Sequence, residues 1–378
     1  MRNFFSLLLA GLLVACSSTP DLREPTELQS IKTGIKVNEL WSASTPTSSN
    51  DKIYEQLYPA LYEGVLYIVA AKGVVQAHEI GQGKKLWTQE LETPVSGGLG
   101  VSQDLLVMGT SEAEVIALGR IDGEIRWRSK VSSEVLAPPV LTDTIVIVRC
   151  GNGVTHALNA ETGEQLWRFS SQTPALSLRG EAAPVISGDL VLLGLANGRL
   201  AALSIFDGVV QWESTVIVPK GRTDLERMVD VDATPVVVGD VVYVAAHQGR
   251  VVALSRLSGT LLWSHDLGTS VGLAIDAENV YVADDDGQVW ALDRRNGATL
   301  WKLEKLKFRD LTAPVVYEDA VVVGDFEGYL HWLSKTDGSI IARYQVDEDG
   351  LRVPPLVRDG VLYSRSKIGY IEALRLRH

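Results

Sequence analysis

The acidic run Asp284-Asp285-Asp286-Gly287 is the stretch of this sequence that most resembles a cation site. A helix-loop-helix calcium loop needs a bidentate Glu at its twelfth position. Counting from Asp284, that position is Arg295, so the run reads as a turn between strands. Other chemistry fares no better. The six histidines (His78, His156, His247, His265, His331 and His378) have no metal-ligand spacing. No Gly-x-Ser-x-Gly elbow occurs. Gly81-Gln82-Gly83-Lys84-Lys85 lacks the spacing and the Ser or Thr of a phosphate loop. Carboxylates are numerous but scattered, and none can be paired across a substrate from sequence. The residues point away from catalysis, and no metal or cofactor is implied.

The cysteines carry one clear signal. Cys16 and Cys150 are the only two, which excludes a disulfide framework. Cys150 ends the run Ile145-Val146-Ile147-Val148-Arg149 and reads as a buried small residue. Cys16 follows an apolar run from Phe4 to Val14, which is signal-peptide length and too short for a comfortable membrane span. Leu13-Val14-Ala15-Cys16-Ser17 resembles the bacterial lipoprotein signal. That resemblance implies cleavage after residue 15, lipidation of Cys16 and anchoring by its acyl chains. Ser17, in place of Asp, implies release to the outer membrane, with the remainder of the protein facing the periplasm. Residues 16–34 are rich in Ser, Thr, Pro, Glu and Gln and read as a flexible tether. Residues 35–378 are the folded part.

That part must hold a large core. Of the 378 residues 46% are hydrophobic, dominated by Val, Leu and Ala, with 34 Gly and 14 Pro. This is the palette of short strands joined by tight turns. The net charge is −12, and loss of residues 1–15 removes Arg2 alone among charged groups. Such acidity disfavours nucleic acid as a partner.

A phrase recurs along the chain: Ala-Leu, a four-residue turn, Gly, then Trp. It ends at Trp127, Trp167, Trp212, Trp263 and Trp301, with a looser first copy at Trp87 and a degenerate one at Ala342. The intervals from 87 to 342 are 40, 40, 45, 51, 38 and 41 residues, which is β-propeller spacing with four strands to a blade. The final copy, Gly369 to Leu374, supplies a third strand and then the chain ends. The missing fourth strand is expected around Trp41. The fold predicted is all-β: an eight-bladed propeller of four-stranded antiparallel blades, closed by an N-terminal strand that completes the last blade. The tryptophans should pack between blades, and Gly123 and Gly163 should take positive φ. Trp290 and Trp332 fall inside third strands and are less clearly structural.

The copy Ala291-Leu-Asp-Arg-Arg-Asn-Gly297-Ala-Thr-Leu-Trp301 resembles the pyrroloquinoline-quinone-type repeat. That family includes quinoprotein dehydrogenases, which makes an enzyme the rival reading. Those enzymes stack the quinone on adjacent cysteines and hold calcium beside it. Adjacent cysteines are missing here.

The irregular intervals are consecutive, 45 and 51 residues. Their excess sits between one blade's last strand and the next blade's first, at Ser170–Glu181 and Ser214–Asp232. Leu and Met near Arg, rimmed by Asp, suits a protein contact, and a longer solvated loop is the plain alternative. A lipoprotein signal, a tether and eight such blades together resemble the propeller lipoproteins of the outer-membrane β-barrel assembly machinery. The resemblance implies a non-catalytic scaffold. It would bind the periplasmic POTRA domains of the barrel-forming subunit BamA and assist insertion of β-barrel proteins. It also implies partner-binding roles for Leu176, Leu178, Arg179, Asp230 and Asp232. Unfolded outer-membrane proteins could additionally pair with exposed outer strands.

Overall fold

The computed structural model describes residues 23–31, 35–45, 57–171, 182–218, 229–247 and 249–377. Cys16, Leu176, Leu178 and Arg179 lie outside them. All regular structure described is strand, arranged as eight separate four-stranded antiparallel sheets. Each sheet is one blade, with strands A to D in order. Neighbouring A strands approach one another around the axis, so D is the outer edge.

The eighth blade is built from both ends of the chain. Its A, B and C strands are Leu356–Arg358, Val361–Arg365 and Tyr370–Arg377, and its D strand is Lys36–Ser44. The register places Lys36 opposite Arg377 and Trp41 opposite Ala373. Closure in this way leaves no unsealed gap between the first and last blades. Arg365, the last residue of strand B in this blade, spans the joint to blade one. Its guanidinium donates to the Leu57 carbonyl and, at 2.7 Å, to the Val69 carbonyl.

The repeat phrase explains the packing between blades. In blades one to six an Ala on strand C lies opposite the Trp on strand D: Ala77 and Trp87, Ala117 and Trp127, Ala157 and Trp167, Ala202 and Trp212, Ala253 and Trp263, Ala291 and Trp301. The small residue makes room for the indole. Each indole then reaches the next blade. The Nε1–H groups of Trp41, Trp87, Trp127, Trp167, Trp212, Trp263 and Trp301 donate to carbonyls there at 2.7–3.2 Å. The ring face lies against the glycine of that blade's C–D turn. A Cβ on Gly83 would come within 2.5 Å of the Trp41 ring, and Gly83 has φ +69°, so glycine is required twice over. Gly123 and Gly163, both at φ 73°, take the positive dihedral expected of them.

Blade seven inverts the pair. Trp332 sits on strand C opposite Ala342 on strand D. Trp332 is fully buried and meets Tyr317 edge-on, with centroids 6.4 Å apart. The reason is topological. Blade eight has no C–D turn, because its C and D strands come from opposite ends of the chain. A tryptophan at position 342 would have no turn glycine to cover. Trp332 is therefore core. Trp290 is half-buried, donates to Asp284 Oδ2 at 2.8 Å and lies under Lys302.

Candidate functional site

In a four-stranded blade the D–A connections and B–C turns emerge at one end of the ring, and the A–B and C–D turns at the other. The two long D–A connections leave blades three and four, so they are neighbours on the first end. The residues that follow each connection are described, and they are tied together. Ala183 N donates to Thr234 Oγ1 at 3.1 Å, although the two are 51 residues apart. Val229 bridges to Asn197 in the B–C turn of blade four.

Asp230 and Asp232 stand on the second of these stems. Asp230 is only 1% exposed, whereas Asp232 is half-buried. Their surroundings are charged. Arg149, the last residue of strand B in blade three, is buried. Burial pushes its pKa down, against the pull of Asp232 and Asp230. Its Nη1 donates to the Ala182 carbonyl at 3.4 Å. On the other side stands His247, in the B–C turn of blade five. Its backbone N–H donates to the Asp230 carbonyl at 3.3 Å, and its Nδ1 lies 2.9 Å from Asp285 Oδ2. The Asp285 carboxylate beside it raises the His247 pKa against the cost of burial, and the charges of Asp232 and Asp230 add to the rise. Burial opposes ionisation of Asp285, but His247 and Ser270 more than offset it and hold its pKa low.

The acidic run is a turn, as the sequence suggests, and each carboxylate has its own partner. Asp284 caps the turn, accepting from the amides of Asp286 and Gln288. Asp285 binds His247 and, through Oδ1, the amide and hydroxyl of Ser270. Asp286 receives Arg23 at 2.7 Å. Among the described residues no three His, Cys, Asp or Glu side chains converge as metal ligands would. Cys150 is a buried free thiol with its pKa raised by burial.

The contact with Arg23 belongs to a longer interaction. Within residues 16–34, which the sequence reads as a flexible tether, residues 23–31 lie along blades six and seven. Thr26 N donates to the Lys307 carbonyl at 3.0 Å, and the Thr26 carbonyl accepts from Arg309 at 3.0 Å. The Gln29 carbonyl accepts from Arg343 at 2.9 Å, and Leu28 packs on the core of blades six and seven. Arg309 itself is buried, bound to Asp325 at 2.7 Å and to Glu327. Apart from the Arg23 side chain, the segment is held through the backbone of Thr26 and Gln29 and by Leu28, a pattern without sequence periodicity to reveal it.

Sequence reasoning also passed over Arg149, His247 and Asp285 as members of this face. Arg149 had a legible signal, a charged residue closing an otherwise apolar strand. His247 and Asp285 had none, because their meeting depends on the contact between blades five and six.

A family model described as outer membrane protein assembly factor BamB matches residues 38–303. The chain is 39% identical to the protein of that description from Pseudomonas aeruginosa, over 98% of each chain. It is 34% identical to the one from Yersinia pestis, over 97% of each. The crystal structure of BamB from Moraxella catarrhalis superimposes with a TM-score of 0.82 at 28% identity, covering 90% of this chain and all of that one. A europium-containing methanol dehydrogenase shares the propeller with a TM-score of 0.74, covering 90% of this chain and 93% of that one, but at 13% identity the likeness is one of fold alone. The chain belongs to the BamB family of outer membrane protein assembly factors.

Proposed function

We propose that this protein is a lipid-anchored scaffold for outer membrane protein assembly, whose D–A face at blades three to five docks on the POTRA domains of BamA. Cys16 carries the acyl chains and holds the propeller at the periplasmic side of the outer membrane. Leu176 and Leu178 fill an apolar groove of the partner, and Arg179 pairs with a partner carboxylate. Asp232 lies near enough to the surface to meet a basic group or orient Arg179. Asp230, at 1% exposure, acts from beneath by shaping the stem.

The observation that carries this reading is the joining of the two long connections at their stems, through Ala183, Thr234 and Arg149. A scaffold needs a defined surface, and tying two neighbouring connections together provides one. The test is co-purification of BamA from solubilised outer membranes with a Leu176→Ala/Arg179→Ala variant of unchanged Tm. Truncating central anchors typically costs at least ~2 kcal/mol each, so recovery should collapse. Undiminished recovery would remove the site from these loops.

A second contact is favoured by one outer strand. Strand D of blade five, Leu261–His265, carries no Lys, Arg, Asp or Glu, and Leu261 and Leu262 are half exposed. The D strands of the other seven blades each carry at least one such charge. Charges on an edge strand discourage pairing, so blade five is the natural place for a strand of an unfolded outer-membrane protein to add. Crosslinkers at positions 261 and 262 should capture nascent barrel proteins. Silence there, with capture elsewhere on the rim, would refute the assignment.

A further inference from the structure

The geometry points to Arg149 as the positioning residue of the docking face: one buried guanidinium that fixes the stems of both long connections at once. The inference rests on the reading above only for the identity of the partner.

The two stems come from different blades and meet nowhere in sequence. Arg149 acts on both. It donates to the carbonyl of Ala182, where the first connection ends, and the charges of Asp232 and Asp230, where the second ends, favour its ionised form; Ala183 N and Thr234 Oγ1 join the same two stems at 3.1 Å. Its burial removes the competition of water, so these interactions are stronger than they would be at a surface. The position is special within the ring. Strand B of blades one, two, four, five, six and seven ends in Val69, Thr110, Gly194, Ala245, Ala283 and Gly324. Only blade eight repeats the arginine, as Arg365, and there it again pins backbone carbonyls across a junction, at the closure of the ring. An arginine at this position spans neighbouring elements in both places. In blade three the elements it spans are the stems of the docking connections. A guanidinium has five donors in a fixed fork, enough to serve a carbonyl on one stem and carboxylates on the other.

The experiment uses the full mature protein and the variants Arg149→Met and Arg149→Lys. Amide hydrogen exchange is followed at residues 182–185 and 229–234, with strands 320–324 and 329–334 of blade seven as the internal reference. The proposal predicts that Arg149→Met speeds exchange at both stems at least tenfold and leaves blade seven unchanged, while Arg149→Lys recovers much of the protection. Exchange raised at one stem only, or at neither, overturns it. Affinity for the purified POTRA fragment of BamA should fall at least tenfold in Arg149→Met. A Trp301→Phe variant, disturbing blade packing elsewhere, should bind as the parent does. Parental affinity in a well-folded Arg149→Met variant would also overturn the proposal. Should the parent protein itself fail to bind the fragment, the docking reading fails and the exchange data alone decide on Arg149. If Arg149→Met does not fold, Arg149→Met/Asp230→Asn/Asp232→Asn removes both signs of charge together. That variant should fold with both stems still exchanging fast, and restored protection would count against the proposal.

Discussion

Trp332 faces Ala342 across strands C and D of blade seven, the reverse of the arrangement in the other seven blades. Elsewhere the indole stands on strand D and covers the turn glycine of the next blade. Blade seven has no such turn ahead of it, and its tryptophan turns inward instead. The relationship ties a single irregularity in the repeat to the way the ring is closed.

Trp332→Ala should therefore cost about 3–5 kcal/mol, as for a large buried aromatic. The exchanged variant Trp332→Ala/Ala342→Trp restores the common order but not the missing glycine turn. Urea unfolding should show it still at least ~2 kcal/mol less stable than the parent. Full recovery would mean that the order of the pair, and not the closure, sets the preference.

The closure itself is tested at Gly83. Alanine there would need a φ of +69° and a Cβ 2.5 Å from the Trp41 ring. Strain and overpacking together should cost about 2–4 kcal/mol. Gly64 has a similar φ of +78° but nothing within 4 Å, so Gly64→Ala should cost only about 1–2 kcal/mol. Calorimetry on the two variants separates packing against the closing strand from backbone strain alone.

The seam between the chain ends holds a second marker. Glu372 on strand C of blade eight is buried, and burial raises its pKa to about 7, with the Glu39 and Asp347 charges adding to the rise. Its folded pKa lies above its unfolded value of about 4.5. The protonated carboxyl thus contributes stability that is full below pH ~4.5 and is lost as pH rises through ~7. The difference is worth roughly 3 kcal/mol. Glu372→Gln should flatten this dependence and exceed the parent in Tm at pH 8. An unchanged pH profile would show that Glu372 is ionised in the fold.

Asp325 anchors the seat of the N-terminal segment. It is fully buried and accepts from Arg309 and, at 2.9 Å, lies against His331. Asp325→Ala leaves a buried guanidinium without its one fully buried carboxylate partner, and such losses cost about 3–5 kcal/mol. Because Arg309 also holds the Thr26 carbonyl, proteolysis near residues 23–31 should quicken in the same variant.

The ring was legible in the sequence because the Gly and Trp markers report a contact that repeats at seven of the eight junctions between blades. Even the missing strand could be found, since Trp41 keeps the register of Trp87. Trp332 was harder to read, because its meaning lies in what blade eight lacks. The proposed docking face was legible through loop length and loop composition. Asp230 and Asp232 could be singled out only by family resemblance, which did not reveal that Asp230 is buried beneath the surface. Arg149, His247 and Asp285 come from three blades, and no local pattern links them. The seat of residues 23–31 uses the Thr26 and Gln29 carbonyls beside the Arg23 ion pair, and backbone carbonyls leave no trace in side-chain composition.

The central claim is that one end of the ring, at blades three to five, meets BamA. Photo-crosslinking side chains placed in living cells at positions 176, 179 and 232 test it most directly against others at Ile121 and Phe206, exposed on the C–D turns at the opposite end. The account predicts adducts with BamA from the first group and none from the second. Adducts from positions 121 and 206, with silence at 176, 179 and 232, would contradict it.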